Sequence, residues 1–294
     1  MIQRPTILLV APTFYDVSYS INPWMDPQAW ARDPRGMHRQ ATRAFAALRQ
    51  ARADAGFAVE VAAGAPGLPD MVFPANAAVV LDGKAVLARF RYAQRSGEEA
   101  PFAAIFEALR TRGWLDSVVQ LPAGCFQEGA GDCIWDAARG HFWAGFGPRS
   151  SRAAADEMAR HFAREVVALE LATAHSYHLD VCFCPLAGGE LLYYPPAFSA
   201  DALQAIRARV PARLRIEATE DDLRHFSVNA VNLDDQVVMT RTTPHLRTEL
   251  TRRGYRLHEV DLSPFMLSGG GAYCMTLRLD RTSVAPSARG AVAA

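Results

Sequence analysis

One unit of secondary structure recurs along this chain, and this repetition limits the possible folds more than any other feature. The unit is a β-hairpin, then a helix, then a single strand. In its clearest copy, the apolar runs 71–80 and 84–90 flank Asp82-Gly83, a pair that favours a tight hairpin turn. Residues 98–113 follow with apolar residues at helical spacing, and residues 117–122 complete the copy as a buried strand.

The same order appears in three later segments, and a fifth copy requires the two ends of the chain to meet. In that fifth copy, strand 274–279 pairs with strand 6–12, and helix 36–56 and strand 57–63 follow. The three later copies span 131–171, 177–219 with a turn at Gly188-Gly189, and 227–262 with a turn at Asp234-Asp235.

Five such units favour a radial arrangement, because closing the ends of the chain into one sheet hides most strand edges. The spacing of about 45 to 50 residues also suits a radially repeated architecture. We therefore predict an α/β fold that is a five-module α/β propeller with pseudo-fivefold symmetry, in which the N- and C-terminal strands complete one module. The alternative is an ordinary α/β sandwich with several hairpins. The predicted single catalytic domain spans 1–282, and 283–294 is predicted to be a flexible tail.

Charge and cysteine content restrict the partners and the compartment. Lysine plus arginine and aspartate plus glutamate number 31 each, so the net charge is zero. A neutral chain of this kind does not have the excess of positive charge that is typical of proteins that bind nucleic acid or an anionic membrane. The apolar run near the N-terminus is too short for a signal peptide or a membrane span. Five cysteines, an odd number, indicate a reducing compartment. The sequence therefore predicts a cytoplasmic protein with a small-molecule partner, and it leaves open a homo-oligomer.

Cys274 is the first candidate for chemistry. It follows three consecutive glycines, Gly269 to Gly271, which permit positive φ angles and a close approach of backbone to a ligand. At the start of a predicted strand, such a cysteine is well placed to be an exposed nucleophile. The alternative is a small buried apolar residue, the usual role of a free cysteine.

Four further candidates are an imidazole and three carboxylates. His178 and Asp180 lie two residues apart on a predicted strand, so they share a face and the carboxylate could orient the imidazole. Glu128 and Asp132 lie in a glycine-broken loop before a strand, where they could bind a cation. The alternatives are a satisfied interior histidine and a solvated acidic turn.

Two asparagines, Asn22 and Asn76, stand at predicted strand ends. They could serve turns or supply neutral hydrogen bonds to a polar substrate. Together with the thiol, imidazole and acids they form a set suited to covalent catalysis on an electrophilic carbon. The excess of acids favours a cationic electrophile over a carboxylate or phosphate.

A metal site was the competing interpretation for Cys182-x-Cys184 with His175 and His178. The two thiols share a strand face, but no second pair with zinc-type spacing exists in the sequence. These cysteines are therefore predicted to be core residues. The sequence also lacks a P-loop and a dinucleotide-binding fingerprint, and we predict neither a metal nor a cofactor.

Five segments occur in a fixed order along the chain: INPWM, PDMVFPANA, EGAGD, YHLD and the glycine-flanked Cys274. Together they make the chain resemble the guanidino-group modifying superfamily, which includes arginine deiminases, dimethylarginine dimethylaminohydrolases, arginine dihydrolases and amidinotransferases. The resemblance covers nearly the whole chain and implies a five-module α/β propeller.

The resemblance also implies roles. Cys274 is the nucleophile, His178 the general acid and base, and Glu128 and Asp180 the acids that hold the guanidinium or support the histidine. Asn76 stands where deiminases carry an aspartate, and with Asn22 it is typical of the arginine dihydrolase branch. The remaining assigned residues bind substrate: Arg95 and Arg149 clamp its α-carboxylate, and Asp132 is the second acid of the EGAGD loop.

The activity implied is hydrolysis at the guanidinium carbon of arginine through a covalent thiouronium, giving citrulline or ornithine with ammonia. Hydrolysis of methylarginine, amidino transfer and an inactive amino-acid-binding relative are the alternatives. The chain departs from the usual pattern in the spacing of EGAGD, in Pro74 where threonine is usual, and in Tyr273 where lysine is common.

Overall fold

Five separate three-stranded sheets form the framework of the computed structural model, which describes residues 4–284. Each sheet has a central strand that pairs antiparallel with one neighbour and parallel with the other. The strands are β1 (Thr6–Val10), β2 (Ala58–Ala62), β3 (Ala78–Leu81), β4 (Lys84–Leu87), β5 (Ser117–Val119), β6 (Cys133–Asp136), β7 (His141–Phe146), β8 (Val166–Glu170), β9 (Phe183–Pro185), β10 (Leu191–Tyr193), β11 (Arg215–Glu217), β12 (Val231–Leu233), β13 (Gln236–Met239), β14 (Arg256–Glu259) and β15 (Leu277–Arg278).

Every parallel pair is joined by a helix, because parallel strands need a crossover connection. These connecting helices are α2, α4, α5, α7 and α9, one for each sheet. The α-helices within residues 4–284 are α1 (Pro27–Ala31), α2 (Pro34–Asp54), α3 (Ala93–Ser96), α4 (Glu99–Thr111), α5 (Ala154–Phe162), α6 (Leu179–Cys182), α7 (Ala200–Arg209), α8 (Glu220–Arg224), α9 (Pro244–Arg252) and α10 (Ser263–Met266). The predicted order of hairpin, helix and strand is therefore confirmed in each unit.

The predicted hairpin turns are present. Asp82 and Gly83 both have positive φ angles, 50° and 71°, as a tight turn between two antiparallel strands requires. Asp234 and Gly189 take positive φ angles in the corresponding turns of two other sheets.

The two ends of the described chain meet in one sheet, as predicted. Strand β1 lies between β15 and β2, with Leu8 opposite Leu277 and Thr6 opposite Ala58. The chain therefore closes its fifth unit with its own C-terminal strand. Most of the predicted tail lies outside the described residues, because the description stops at residue 284.

Helix α2, which lies between β1 and β2 in the chain, also contacts the segment that carries Cys274. The side chain of Asp33 accepts a hydrogen bond from the backbone N–H of Gly36 and caps the helix start. Near the other end of the helix, the buried guanidinium of Arg52 donates to the carbonyl of Ala272 at 2.7 Å and to Oγ1 of Thr276 at 2.9 Å. These bonds hold the chain on both sides of Cys274.

Some of the predicted strands begin later than expected, because the residues before them form short helical turns. Residues Pro74–Asn76 and Gly129–Gly131 are 3₁₀ turns, and Leu179–Cys182 is helix α6. In each case the turn leads into the first strand of a hairpin, and polar side chains within the turn or beside it are buried. These turns build the site described next.

A membrane-crossing segment is not found in the described part of the chain, where every helix is too short or too polar to span a bilayer.

Candidate active site

Cys274 lies in a turn that immediately precedes β15, and its side chain is buried. Its thiol donates to Oδ2 of Asp180 at 3.1 Å and accepts a hydrogen bond from Nδ2 of Asn229, also at 3.1 Å. Burial, and then the negative charge of Asp180, raise the pKa of the Cys274 thiol well above its ordinary value. The prediction of an exposed cysteine is therefore wrong, but the sulfur has polar partners rather than only hydrocarbon.

The glycines before Cys274 are required by close packing. A Cβ atom on Gly270 would lie 2.1 Å from the ring of Phe73, and one on Gly271 would lie 2.8 Å from Oδ1 of Asn229. Gly269 has a φ of +84°, which L side chains rarely adopt. The glycine run thus allows the loop to press against neighbouring side chains and buries the sulfur.

His178 is paired with Glu128 rather than with Asp180. Its Nε2 lies 2.7 Å from Oε2 of Glu128, and the same oxygen accepts from Nη1 of Arg149 at 3.0 Å. All three side chains are almost fully buried. Burial raises the pKa of Glu128, but Arg149 and then His178 outweigh it, so the pKa lies well below its usual range. Glu128 is therefore an ionised partner for the imidazole.

The prediction that Asp180 orients His178 is wrong, and the reason is local. His178 has extended backbone angles, whereas Asp180 lies in the first turn of helix α6. A two-residue offset puts side chains on one face only in a strand. In the helical turn, Asp180 points instead to Cys274, while His178 points to Glu128.

Asn76 joins the histidine pair to the surrounding polar network. Its Nδ2 lies 3.5 Å from Nδ1 of His178 and 3.4 Å from the carbonyl oxygen of Glu128, and its Oδ1 accepts from Arg95 at 2.9 Å. A Cβ atom on Gly131 would lie 2.2 Å from Nδ2 of Asn76 and 3.6 Å from Oδ2 of Asp180. Gly131 is therefore close both to Asn76, which contacts His178, and to Asp180, which contacts Cys274.

Asp132 contacts both the start of helix α6 and the side chain of Ser150. Its Oδ1 accepts the backbone N–H of Leu179 at 2.9 Å, its Oδ2 accepts from Ser150 at 2.6 Å, and Oδ2 lies 4.0 Å from Nε2 of His178. Burial raises its pKa to about 6, against the opposing effect of His178. The structure thus uses Asp132 to hold the start of α6, and it is Glu128 that contacts the imidazole.

The two predicted arginine clamps already have carboxylate partners within the protein. Arg95 donates to both oxygens of Glu98 at 2.8 Å and to the carbonyl oxygen of Asp70 at 3.2 Å. Arg149 bonds to Glu128 as described and to the carbonyl oxygen of Ile21 at 3.2 Å. Each is almost fully buried, and the role of both as clamps for the substrate α-carboxylate stays a prediction.

Arg149 nevertheless lines a surface pocket of about 350 Å³, a size in the range of small-molecule sites. Asn22 lies in the same wall, where its amide donates to the carbonyl of Ser268 at 3.1 Å and its Oδ1 accepts the N–H of Trp24 at 2.9 Å. The lining residues are Ile21, Asn22, Pro23, Tyr92, Gly147, Pro148, Arg149, Leu171, Ala172, Thr173, Ala174 and Tyr177.

The buried charges of this region are unbalanced. Two guanidiniums face a larger set of buried carboxyl groups: Asp70, Glu98, Glu128, Asp132 and Asp180. Burial raises the pKa of Asp180 to about 7 and that of Glu98 to about 7, although Arg95 lowers both. Oδ1 of Asp180 also has no hydrogen-bond partner among the described residues. Such a site is complementary to an added cation.

Sequence reasoning did not assign three of these residues: Asn229, Glu98 and Asp70. A signal for Asn229 was present in the repeat itself. Asn229 lies two residues before the first strand of its hairpin, as Asn76 does before β3. Comparing that position in these two copies selects Asn229, although the copies before β6 and β9 have Gly131 and Val181 there.

Cys182 and Cys184, the cysteines of the alternative metal site, lie in the hydrophobic core. Both are buried, and their thiols contact the carbonyl oxygens of Leu179 at 3.5 Å and Ala230 at 3.4 Å. The prediction that both are core residues is confirmed. Over residues 4–284, histidine, cysteine and acidic side chains do not assemble into a group of three arranged to hold a metal.

Comparison with known proteins identifies relatives along nearly the whole chain. The bifunctional arginine dihydrolase/ornithine cyclodeaminase ArgZ of Synechocystis sp. is 40% identical over 93% of this chain, which spans only 37% of ArgZ. The N(G),N(G)-dimethylarginine dimethylaminohydrolase of Mycobacterium tuberculosis is 33% identical over 92% of this chain and 84% of its own length.

Solved structures agree with these matches. The N-terminal domain of ArgZ, crystallised as a cysteine-to-serine variant bound to substrate and described as an arginine dihydrolase, has a TM-score of 0.87 and 37% identity. The match covers 95% of this chain and all of that domain. Unliganded AgrE has a TM-score of 0.89 and 37% identity over 95% of this chain and 40% of its own. The α/β fold with several small sheets is therefore shared.

The sheets, the cysteine and histidine site and these matches together define the class: the chain belongs to the guanidino-group modifying superfamily. Within that class, residues 24–281 match the family described as "N,N dimethylarginine dimethylhydrolase, eukaryotic".

Proposed function

We propose that this chain hydrolyses the guanidinium group of arginine, with Cys274 as nucleophile, and that it is an arginine dihydrolase. One observation carries the proposal. The sulfur of Cys274 is hydrogen-bonded to a buried carboxylate, Asp180, while Glu128 and His178 form a separate buried pair whose imidazole contacts Asn76. A thiol, an acid–base group and a carboxylate around one buried point suit covalent attack on a cationic carbon.

Recognition of the cation follows from the charge imbalance. Burial disfavours the ionised form of Asp180, and a guanidinium next to it would stabilise that form. The guanidinium would also donate a hydrogen bond to Oδ1 of Asp180, which has no partner among the described residues. The planar ion donates hydrogen bonds in a fork that fits a carboxylate. In this proposal Arg149 and Asn22, in the wall of the open pocket, contact the α-carboxylate end of the substrate, and Arg95 holds Asn76 in place.

The first half of the reaction removes one amino group. The bound cation lowers the pKa of the Cys274 thiol, whose proton passes to His178. The thiolate then attacks the guanidinium carbon and forms a C–S bond. His178 returns that proton to the departing nitrogen as the C–N bond breaks, which releases ammonia and leaves a covalent thiouronium.

The second half uses water. Neutral His178 accepts a proton from water as its oxygen attacks the carbon, and the C–S bond breaks with its electron pair on sulfur. Citrulline results. In the second round the thiolate attacks the citrulline carbon, the C–N bond to the terminal amino group breaks, and ammonia leaves with a proton from His178. A second water then attacks the resulting thiocarbamate and breaks its C–S bond, and the carbamate that forms loses carbon dioxide to leave ornithine. Ionised Glu128 holds the imidazolium that forms in each round.

The finer architecture belongs to the same proposal. The five sheets would surround a central axis as an α/β propeller, and residues 1–282 would be a single catalytic domain. In support, the polar residues of the site come from the turns that precede the first strand of each hairpin. These residues are Asn76, Glu128, Asp132, His178, Asp180, Asn229 and Cys274.

A second candidate, hydrolysis of methylated arginine to citrulline and a methylamine, is favoured by the matching family, which is described as a dimethylarginine hydrolase. The dihydrolase stands first because the ArgZ domain is both more similar and fully covered. An amidinotransferase would differ in passing the amidino group to an amine instead of to water.

The test is product identification. Purified protein is incubated with arginine, asymmetric dimethylarginine or citrulline, and ammonia, dimethylamine, citrulline and ornithine are quantified. We expect ornithine and two equivalents of ammonia from arginine. Citrulline with dimethylamine as the sole product would establish the second candidate. Binding of arginine without any product would favour an inactive amino-acid-binding relative, and no response to any substrate would overturn the proposal.

Arginine binding should weaken in acid. The raised pKa of Asp180, about 7, means that this carboxyl holds a proton below neutral pH, and a bound guanidinium favours its loss. Protons are therefore released on binding, and one such group weakens affinity by up to about tenfold per pH unit below 7. Calorimetry on the Cys274→Ser variant, in buffers of different ionisation enthalpy, measures both effects. Equal affinity at pH 8 and pH 5.5 would contradict the role given to Asp180.

We also propose a cytoplasmic location, which is supported by five cysteines that are all free. Light scattering of the purified protein would measure whether it assembles into a homo-oligomer.

A further inference from the structure

The carboxamide of Asn229 makes four hydrogen bonds to Cys274 and to the residues next to its sulfur and backbone. Its Oδ1 accepts the backbone N–H groups of Tyr273 at 2.8 Å and Cys274 at 3.2 Å. Its Nδ2 donates to the carbonyl oxygen of Asp180 at 3.0 Å and to Sγ of Cys274 at 3.1 Å. The side chain is fully buried. One side chain therefore binds the nucleophile, its backbone and the helix that carries its acidic neighbour.

The contacts leave one orientation for this amide. Turning it over would place an NH₂ group against two N–H donors and its oxygen against a carbonyl oxygen. Nδ2, and not Oδ1, must therefore face the sulfur. The sulfur has a permanent donor on one side and Asp180 on the other.

These two neighbours act oppositely when the thiol ionises. A neutral thiol donates to Asp180 and accepts from Asn229, so both contacts are favourable. A thiolate can only accept, so its contact with an ionised Asp180 becomes repulsive while the bond from Asn229 becomes charge-assisted and stronger. Because the sulfur is almost fully buried, bulk water is not in contact with it to take the place of that donor.

A neutral donor is also the type that a cation-binding site permits. A lysine or arginine at this position would stabilise the thiolate but repel a guanidinium beside Asp180. The amide stabilises the sulfur anion without adding positive charge. The same N–H group would receive the sulfur when the C–S bond breaks and the electron pair returns to it.

We propose that Asn229 is a catalytic residue of this site, which stabilises the Cys274 thiolate through Nδ2 and fixes its direction through Oδ1. This inference rests on the proposed function, because a thiolate matters only if Cys274 is the nucleophile.

The experiment replaces Asn229 by aspartate, which keeps the shape and the acceptor but removes the permanent donor, and by serine. Asn232→Asp is the matched control. Asn232 lies three residues further along and also bonds backbone groups, those of Ala187, Asp234 and Gln236, but it does not contact the sulfur. Folding of each variant is checked by circular dichroism and thermal unfolding.

The rate of Cys274 alkylation by iodoacetamide is measured as a function of pH, with mass spectrometry of the cysteine peptide as the detection method. A purely structural role of Asn229 would not shift this pH profile. The titratable groups facing the sulfur are Asp180 and Tyr177, and both remain in every variant. Asn229→Asp adds a further carboxyl beside the sulfur, whereas Asn229→Ser adds no titratable group, so the serine variant separates the loss of the amide donor from an added negative charge. We expect Asn229→Asp and Asn229→Ser to slow alkylation at pH 8 by about tenfold or more and to move its midpoint upward. Asn232→Asp should leave the profile unchanged.

With substrate, kcat should fall by about 10²-fold in the Asn229 variants, in line with the loss of one preorganised donor, and KM should change little. An unchanged alkylation profile in either folded Asn229 variant would overturn the inference, and so would a shift of equal size in Asn232→Asp. If alkylation depends on Asn229 but wild-type protein forms no product, the proposed function fails while the stabilisation of the thiolate stands.

Discussion

Cys274→Ser is expected to lower the turnover of arginine by at least about 10³-fold while leaving the fold intact. Serine keeps a donor for Asp180 and an acceptor for Asn229, so both hydrogen bonds of the thiol are retained. The hydroxyl is nevertheless a far weaker nucleophile, because it does not ionise under these conditions. Steady-state product formation measures the loss, and thermal unfolding verifies the fold.

Cys184→Ser is the matched control for this change. Cys184 is also a buried thiol bonded to a carbonyl oxygen, that of Ala230, but it packs in the core. Its replacement should reduce thermal stability without lowering kcat in the folded protein. Wild-type rates in Cys274→Ser would rule out the nucleophile assignment, whatever the effect of the control.

Glu128→Gln is expected to affect both activity and stability. Glutamine has the same shape but no charge, so the imidazolium of His178 loses its partner, and we expect kcat to fall by about 10²- to 10⁴-fold. The change also leaves the buried guanidinium of Arg149 without its carboxylate. Breaking a buried pair in this way costs about 3 to 5 kcal/mol in the free energy of unfolding.

Two comparisons separate these effects. The double variant Glu128→Gln/Arg149→Met should recover part of the lost stability, measured by denaturant unfolding, but none of the activity. Asp136→Asn removes another buried carboxylate, which pairs with Arg139 at 2.7 Å and accepts from Trp143 at 2.9 Å away from the proposed site. It should destabilise the protein without lowering kcat. A Glu128→Gln enzyme with a normal kcat would remove Glu128 from the mechanism.

The repeated unit could be predicted because its determinants are local. Alternating apolar residues specify the strands, pairs such as Asp82-Gly83 specify the turns, and helical spacing specifies the crossovers. Even the pairing of β1 with β15 followed from this pattern, since it supplied the one hairpin missing from the fifth unit.

The site was predicted less completely because its geometry arises where the regular pattern stops. His178 and Asp180 were placed on one strand face, but a four-residue helix turns them toward different partners. Asn229 was overlooked because its importance comes from four contacts with residues distant in sequence. Arg95 and Arg149 are predicted from the sequence to bind the substrate carboxylate, but the sequence does not reveal their pairing with Glu98 and Glu128.

The sequence by itself determined the hairpin, helix and strand order, the closure of the chain ends and the residue types of the site, because backbone propensity and apolar spacing act over a few residues. Tertiary structure alone decided that Cys274 is buried, that Glu128 and not Asp180 supports His178, and that Asn229 holds the sulfur. Burial and these contacts depend on segments 45 to 94 residues apart along the chain, which only folding brings within hydrogen-bond distance.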